Sequence, residues 1–201
     1  MLKLYDYLPS CNGYKVRLLL HHLGRPFERI ELDIDQGETR TAAFLVKNPN
    51  GRIPTLELED GATLAESGAI LWYLAEGSAF LPQDPFARAQ VLQWMFFEQY
   101  SHEPFIAVSR YIVQHCAADS PRHAELPSLR ERGRAALAVM EAQLTGRGFF
   151  VGEAYSIADI ALYAYTHVAG EGGFDLSPYP AISAWFARVR AQPNHILITE
   201  G

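Results

Sequence analysis

The sequence predicts an α+β protein in which a small mixed α/β domain precedes an all-helical one. Residues 1–76 alternate short apolar runs with helical stripes, whereas the chain after Asp84 consists of long amphipathic helical patterns with almost no strand signal. An Asp-Gly pair at 60–61 between two short apolar runs indicates a β-hairpin in the first part. We therefore predict domains at 1–76 and 87–201, joined by a linker over 77–86.

The first domain is predicted to run strand, helix, strand, helix, hairpin, helix. The helix from Tyr14 to Leu23 carries an apolar stripe and ends at Gly24, a residue typical of helix C-termini. An Asn-Pro-Asn-Gly cluster ends the second, weaker helix. The remaining predicted elements are strands at 2–5, 27–32, 55–58 and 62–64, and helices at 39–46 and 67–75.

The second domain is predicted as a bundle of long helices. The segment YSIADI places Ser156 and Asp159 as a capping box, and Tyr155 and Ile160 as a hydrophobic staple. Asp159 is therefore predicted to begin a helix rather than to act in catalysis. The helices are expected at 86–117, 123–144, 157–168 and 181–191. Pro104 predicts a kink within the first of them.

The composition is that of an ordinary globular protein. The 201 residues are 49% hydrophobic and can bury a full core, and no apolar run reaches the roughly 20 residues of a membrane span. A formal charge of −6 argues against nucleic-acid binding. Cys11 and Cys116 lack the spacing of a disulfide framework or a thiolate metal site, which favours a reducing compartment. We expect a cytoplasmic protein with no membrane, nucleic-acid or metal partner.

Three loops are predicted to meet at the carboxyl edge of the sheet, where open α/β sheets bind ligands. In the first, Ser10 or Asn12 caps a helix whose amide groups favour anions. In the second, Pro54 opens an apparent strand. A cis Ile53-Pro54 bond would leave the Ile53 backbone free to pair with an extended peptide, and a trans proline at a strand start is the alternative.

The third loop contains Glu66 and Ser67 at the start of a helix. Ser67 and the first-turn amides could hold a carboxylate, and Glu66 could accept an ammonium group, so that together they would recognise an amino-acid head. The alternative is that Ser67 serves only as a helix N-cap. A ligand with an amino-acid head, a central peptide and a thiol would use all three loops.

Three segments together, SCNGYKVRLLLHHLG, NPNGRIPTLELEDGATLAESGAILWYLAE and FFVGEAYSIADIALYAY, resemble those of cytosolic glutathione transferases. The resemblance covers nearly the whole chain. It implies a thioredoxin-like βαβαββα N-terminal domain, an all-α C-terminal helical bundle and a homodimer. It also implies glutathione as co-substrate, a cis Pro54, and Ile53 pairing with the cysteinyl part. Glu66 and Ser67 would then hold the γ-glutamyl end, and Arg52 could reach the glycyl carboxylate.

Such an enzyme must keep the bound thiol ionised, although a free thiol has a pKa of about 8.5. Ser10 is the preferred hydrogen-bond donor to the sulfur, aided by the start of its helix, and Asn12 is the second candidate. Cys11 is a competitor, because cysteines in this loop form mixed disulfides with glutathione in some bacterial relatives. Tyr7 is a minor candidate by analogy with the tyrosine-type transferases.

The second substrate is expected to be a hydrophobic electrophile bound in an apolar cleft. The predicted activity is conjugation of the glutathione thiolate to this electrophile. The alternatives are a glutathione-dependent thiol–disulfide reductase and a non-catalytic glutathione-binding stress or regulatory protein. The candidate electrophile-binding residues are Leu8, Tyr100, Phe105, Ser109, Tyr111 and Phe174.

Overall fold

The computed structural model describes residues 1–201, and by its contacts the chain divides into two units. The α/β unit consists of Met1–Ser78 together with Pro193–Gly201, and the helical unit of Ala79–Gln192. The sequence-based division assigned the last segment to the helical domain. Its backbone carbonyls instead accept hydrogen bonds from Tyr14 and Arg17 of the α/β unit.

The α/β unit is built on a four-stranded mixed sheet in the order β2-β1-β3-β4. Strand β1 pairs with β2 in parallel and with β3 antiparallel, and β3 and β4 form the predicted hairpin. The strands are shorter than six residues, and β3 is buried along its whole length. Their bounds are Leu2–Asp6 (β1), Phe27–Glu31 (β2), Thr55–Glu57 (β3) and Thr63–Ala65 (β4).

Three helices complete this unit. Helix α1 spans Cys11–His22 and packs against α3, which spans Ser67–Ala75, while α2 is the short Ala42–Leu45. Helix α1 starts three residues before the predicted Tyr14, because Ser10 supplies the cap and the polar residues of its first turn carry no apolar signal. The predicted α+β class and the βαβαββα order are confirmed.

The helical unit contains five main helices and short helical turns. The first predicted long helix is divided into α4, Pro85–Phe97, and α5, Glu103–His115, by a π-helical segment at Glu98–His102. The interruption lies immediately before Pro104, where a kink was predicted. The other helices are α6, Leu126–Leu144; α7, Ile157–Thr166; and α8, Pro180–Arg190. No helix of the chain has the length and apolar character needed to cross a membrane.

Helix α7 forms the centre of the helical unit, and all of its residues are buried. Its predicted capping box is confirmed, with Ser156 as N-cap and Asp159 at the third helical position. Asp159 also accepts hydrogen bonds from the Phe150 backbone at 3.1 Å and from Trp185 Nε1 at 2.9 Å. One buried carboxylate therefore joins the start of α7 to α8 and to the chain before α7.

Candidate functional site

The first loop leads from β1 into α1 and is fixed at both ends. The Ser10 hydroxyl oxygen accepts a hydrogen bond from the Gly13 backbone at 3.2 Å, so Ser10, rather than the alternative Asn12, is the N-cap. A Cβ at Gly13 would lie only 1.6 Å from Oδ1 of Asp6, and the first turn of α1 therefore requires glycine there. The hydroxyl hydrogen of Ser10 is not used by this cap and remains a donor for a ligand.

Arg17 holds the same loop from within the α/β unit. Its guanidinium pairs with Asp6 at 2.8 Å, and both side chains are completely buried. Its Nη2 donates to the Leu8 carbonyl at 2.7 Å and to the Ile198 carbonyl, and its Nη1 donates to the carbonyls of Ile198 and Glu200. Burial raises the pKa of Asp6, and the Arg17 charge opposes this. The buried pair thus links β1, the loop and the Pro193–Gly201 segment.

Asn12 connects the first loop with the third. Its Oδ1 accepts a hydrogen bond from Lys15 Nζ at 2.7 Å and another from the Ser67 hydroxyl at 3.3 Å. Asn12 lies at the second position of α1, and Ser67 is the first residue of α3. Two of the three loops predicted to form one pocket are therefore in direct side-chain contact.

The second loop contains the predicted cis peptide bond between Ile53 and Pro54, which is confirmed. Asn48 supports this turn, because its buried amide donates to the Arg52 carbonyl at 2.8 Å and to the Thr55 hydroxyl at 3.2 Å. The first residue of the β3 ladder is Thr55, and the Ile53 backbone lies beyond the end of that ladder. Arg52 is exposed beside it.

The third loop has an unusual backbone at its centre. Glu66 has φ 69° and ψ 115°, a conformation that costs a non-glycine residue on the order of 1–3 kcal/mol and concentrates at functional sites. The prediction that Ser67 caps α3 is wrong by one residue, because Glu66 occupies the N-cap position and Ser67 begins the helix. The Ser67 hydroxyl is consequently directed to Asn12, and the Glu66 side chain is exposed.

The four candidate residues of the first loop differ in exposure. Cys11 is only 1% exposed, whereas Ser10 and Asn12 are both partly exposed. Burial raises the pKa of Tyr7, with contributions from Asp35 and Asp33, which makes its phenol a weaker hydrogen-bond donor. Ser10, Asn12 and Tyr7 are thus the partly exposed donors of this loop, whereas Cys11 is buried.

The candidate electrophile-binding residues of the helical unit differ in exposure. Tyr100 is 85% exposed in the π-helical segment, and Phe105 is partly exposed with the Arg132 guanidinium over its ring. Tyr111 is exposed and stacks on His115. Ser109 and Phe174 are buried, and the Ser109 hydroxyl donates to the Phe105 carbonyl at 2.7 Å. Leu8 is partly exposed in the first loop of the α/β unit.

Sequence analysis missed the residues that orient this site. Lys15, Arg17 and Asp6 carry charges that were not expected in the interior, and Asn48 was interpreted only as part of a helix-ending cluster. Arg17 lies outside the apolar stripe of the predicted helix, so the helical pattern carried no signal for its burial. The chain holds no group of three or more His, Cys, Asp or Glu side chains arranged as a metal site.

A thioredoxin-like α/β unit followed by a helical unit, with a cis-proline turn beside two helix starts, defines the class of the protein. Residues 1–76 match the family described as glutathione S-transferase, N-terminal domain, and residues 94–193 match its C-terminal domain. The chain belongs to the glutathione S-transferase family.

Known relatives agree with this assignment. A glutathione S-transferase structure from Pseudomonas fluorescens is 57% identical with a TM-score of 0.97, and 99% of each chain is covered. The disulfide-bond oxidoreductase YfcG of Escherichia coli is 32% identical over 96% of this chain and 92% of that protein. A Burkholderia graminis glutathione transferase structure with two glutathione molecules bound per subunit is 29% identical, with a TM-score of 0.84, covering 96% of this chain and 85% of that one.

Proposed function

We propose that this protein is a glutathione transferase that binds glutathione on its α/β unit and conjugates the thiolate to a hydrophobic electrophile. The contact between Ser67 and Asn12 carries the proposal, because it brings two of the three predicted binding loops together. The cis Ile53-Pro54 turn and the unusual Glu66 backbone support it. The glutathione-bound structure of a relative supports the choice of ligand.

Each part of glutathione has a proposed partner on the α/β unit. The backbone of Ile53 pairs with the cysteinyl peptide in the manner of an added strand. Ser67 and the first amides of α3 hold the γ-glutamyl carboxylate, Glu66 accepts its ammonium group, and Arg52 reaches the glycyl carboxylate. Catalysis then consists of positioning the sulfur and stabilising its negative charge, without a metal or a covalent enzyme intermediate.

The electrophile is proposed to contact exposed aromatic side chains of the helical unit. Tyr100, Phe105 and Tyr111 present apolar surface on this unit. Because Ser109 and Phe174 are buried, we assign them to the packing around the site rather than to direct contact.

A homodimer is part of the proposal. The helical unit exposes the apolar side chains of Phe96 (68% exposed) and Val139, which a partner subunit would cover. Analytical ultracentrifugation of the purified chain should give twice the monomer mass of 22.5 kDa. A mass equal to the monomer at micromolar concentration would contradict it. Since glutathione is kept reduced in the cytoplasm, that is the proposed location.

A disulfide reductase is the second candidate, and the similarity to a disulfide-bond oxidoreductase favours it. The two reactions are separated by measuring conjugation of an aromatic halide and glutathione-dependent reduction of a small disulfide on the same preparation. We expect conjugation that is lost in Asn12→Ala and kept in Cys11→Ala. Reduction without conjugation would establish the reductase, and millimolar binding of glutathione without either reaction would establish a non-catalytic binder.

The thiolate donors are predicted to be Ser10 and Asn12. A hydrogen bond to a charged group contributes about 1.5–3 kcal/mol, so loss of the main donor should raise the pKa of the bound thiol by about one to two pH units. Titration of the ultraviolet thiolate absorbance of bound glutathione in Ser10→Ala and Asn12→Ala measures this directly. Ser120→Ala, which removes a hydroxyl from the helical unit, is the control. If neither variant differs from this control, both donor assignments are wrong.

A further inference from the structure

Helix α1 contains, at its fifth residue, a buried lysine that the proposed mechanism has not used. The Lys15 side chain is 1% exposed, although lysine is among the residues least often buried. Its ammonium nitrogen donates a hydrogen bond to Oδ1 of Asn12 at 2.7 Å. A buried cation thus lies directly behind one of the two candidate thiolate donors.

This contact determines which end of the Asn12 amide is the oxygen. An ammonium group has donors and no acceptor, so the Asn12 atom at 2.7 Å from Nζ must be the carbonyl oxygen. The Ser67 hydroxyl donates to the same oxygen at 3.3 Å. With its oxygen held from two sides, the amide presents its NH₂ group away from Lys15 as a hydrogen-bond donor.

The cation also strengthens that donor. A positive charge on the carbonyl oxygen withdraws electron density from the amide nitrogen, and hydrogen bonds in series polarise one another. This polarisation favours the ionised form of a sulfur that accepts from the Asn12 NH₂ group.

We propose that Lys15 is a positioning residue, which orients and polarises the Asn12 amide so that its NH₂ group donates to the glutathione sulfur. This assignment rests on the proposed function, because it presupposes bound glutathione. It makes Asn12 the principal donor, because Lys15 orients and polarises the Asn12 amide, and it leaves the Ser10 hydroxyl as the second candidate.

The experiment is a double-mutant cycle that combines Lys15→Met with Asn12→Ala and reads the pKa of the bound thiol from its ultraviolet absorbance. We expect Lys15→Met to raise this pKa by about one pH unit in the wild-type background and by less than about 0.3 in the Asn12→Ala background. Lys15→Arg, which keeps the charge and a donor, should preserve most of the wild-type value. Lys3→Met, at a partly exposed lysine whose ammonium pairs with Glu57 rather than with Asn12, is the control.

Different outcomes of this experiment would contradict the positioning role of Lys15, contradict the proposed binding of glutathione, or show that Lys15 only stabilises the fold. The melting temperature of Lys15→Met is measured together with the thiol pKa, so that a pKa shift in the folded variant cannot be attributed to unfolding. If this variant fails to fold, Lys15→Gln takes its place with the same expectation. An unmoved pKa, or an equal shift in both backgrounds, would overturn the Lys15 assignment while glutathione binding persists. Absence of binding to the wild-type protein at millimolar glutathione would overturn the proposed function, and this assignment with it.

Discussion

Replacing Arg17 with methionine is expected to lower the free energy of unfolding of the α/β unit by about 3–5 kcal/mol at pH 7, because the substitution leaves the Asp6 carboxylate buried without its cation. The variant also loses the guanidinium contacts to the carbonyls of Leu8 and Ile198. Urea unfolding followed by circular dichroism measures the loss. Arg134→Met, at an exposed position of α6, is the control and should change stability by less than about 0.5 kcal/mol.

The pH dependence of this loss has a definite sign. Burial already raises the pKa of Asp6, and without Arg17 that pKa should rise further. In the folded variant Asp6 then keeps a proton that it releases in the unfolded chain. The free energy of unfolding of the variant therefore falls as the pH rises above 3.8, the ordinary pKa of an aspartate. The deficit relative to wild type should therefore be largest at neutral pH and shrink towards pH 4.

A double variant tests whether the unpaired Asp6 carboxylate causes the loss of stability in Arg17→Met. In Asp6→Leu/Arg17→Met both charges are removed, and the double variant should recover part of the stability lost by Arg17→Met alone. Equal losses in the single and double variants would contradict the explanation by an uncompensated buried charge. The carbonyl contacts of Arg17 to the loop and to the Pro193–Gly201 segment would then be the main source of the effect.

Replacing Asp159 with alanine is expected to cost the helical unit about 3–5 kcal/mol. The carboxylate accepts hydrogen bonds from the Phe150 backbone, the Ser156 backbone and hydroxyl, and the Trp185 indole, at 2.9–3.1 Å. The variant leaves buried donors without an acceptor, and each costs about 1–3 kcal/mol. Ser156→Ala, which removes only the cap hydroxyl, should cost about 1 kcal/mol.

The stability lost in Asp159→Ala should also depend on pH, because Asp159 titrates at a different pH in the folded and unfolded states. Burial raises its pKa from 3.8 to about 6, against the opposing effect of its hydrogen-bond donors. Since the folded state holds the proton more tightly than the unfolded chain, this group stabilises the fold most below pH 4, and its contribution falls by about 3 kcal/mol as the pH rises to 6. Urea unfolding of Asp159→Ala should therefore show a larger deficit at pH 5 than at pH 7.

Asp119→Ala, at an exposed loop position, is the control for both measurements. Its stability should follow the wild-type curve at each pH. A deficit of Asp159→Ala that is below about 1 kcal/mol, or that increases from pH 5 to pH 7, would contradict the role given to the buried carboxylate.

Local chemistry allowed much of the fold and part of the site to be predicted. The Asp60-Gly61 hairpin, the cap at Ser10 and the capping box at Ser156 follow from side chains that bond to backbone a few residues away, and such patterns are visible in a linear sequence. The cis bond at Pro54 was predicted from a proline at a strand start together with its two neighbouring loops.

Only the tertiary structure decided which buried polar groups meet. Asp159 was predicted to cap its own helix, but its bond to Trp185 joins residues in different helices. The contacts of Asn12 with Ser67 and of Arg17 with Ile198 likewise join distant segments. A charge enters the interior only where partners from several elements converge on it, and this convergence is a property of packing rather than of any local pattern. The sequence by itself determined the elements and the three loops, and packing determined which side chains orient them.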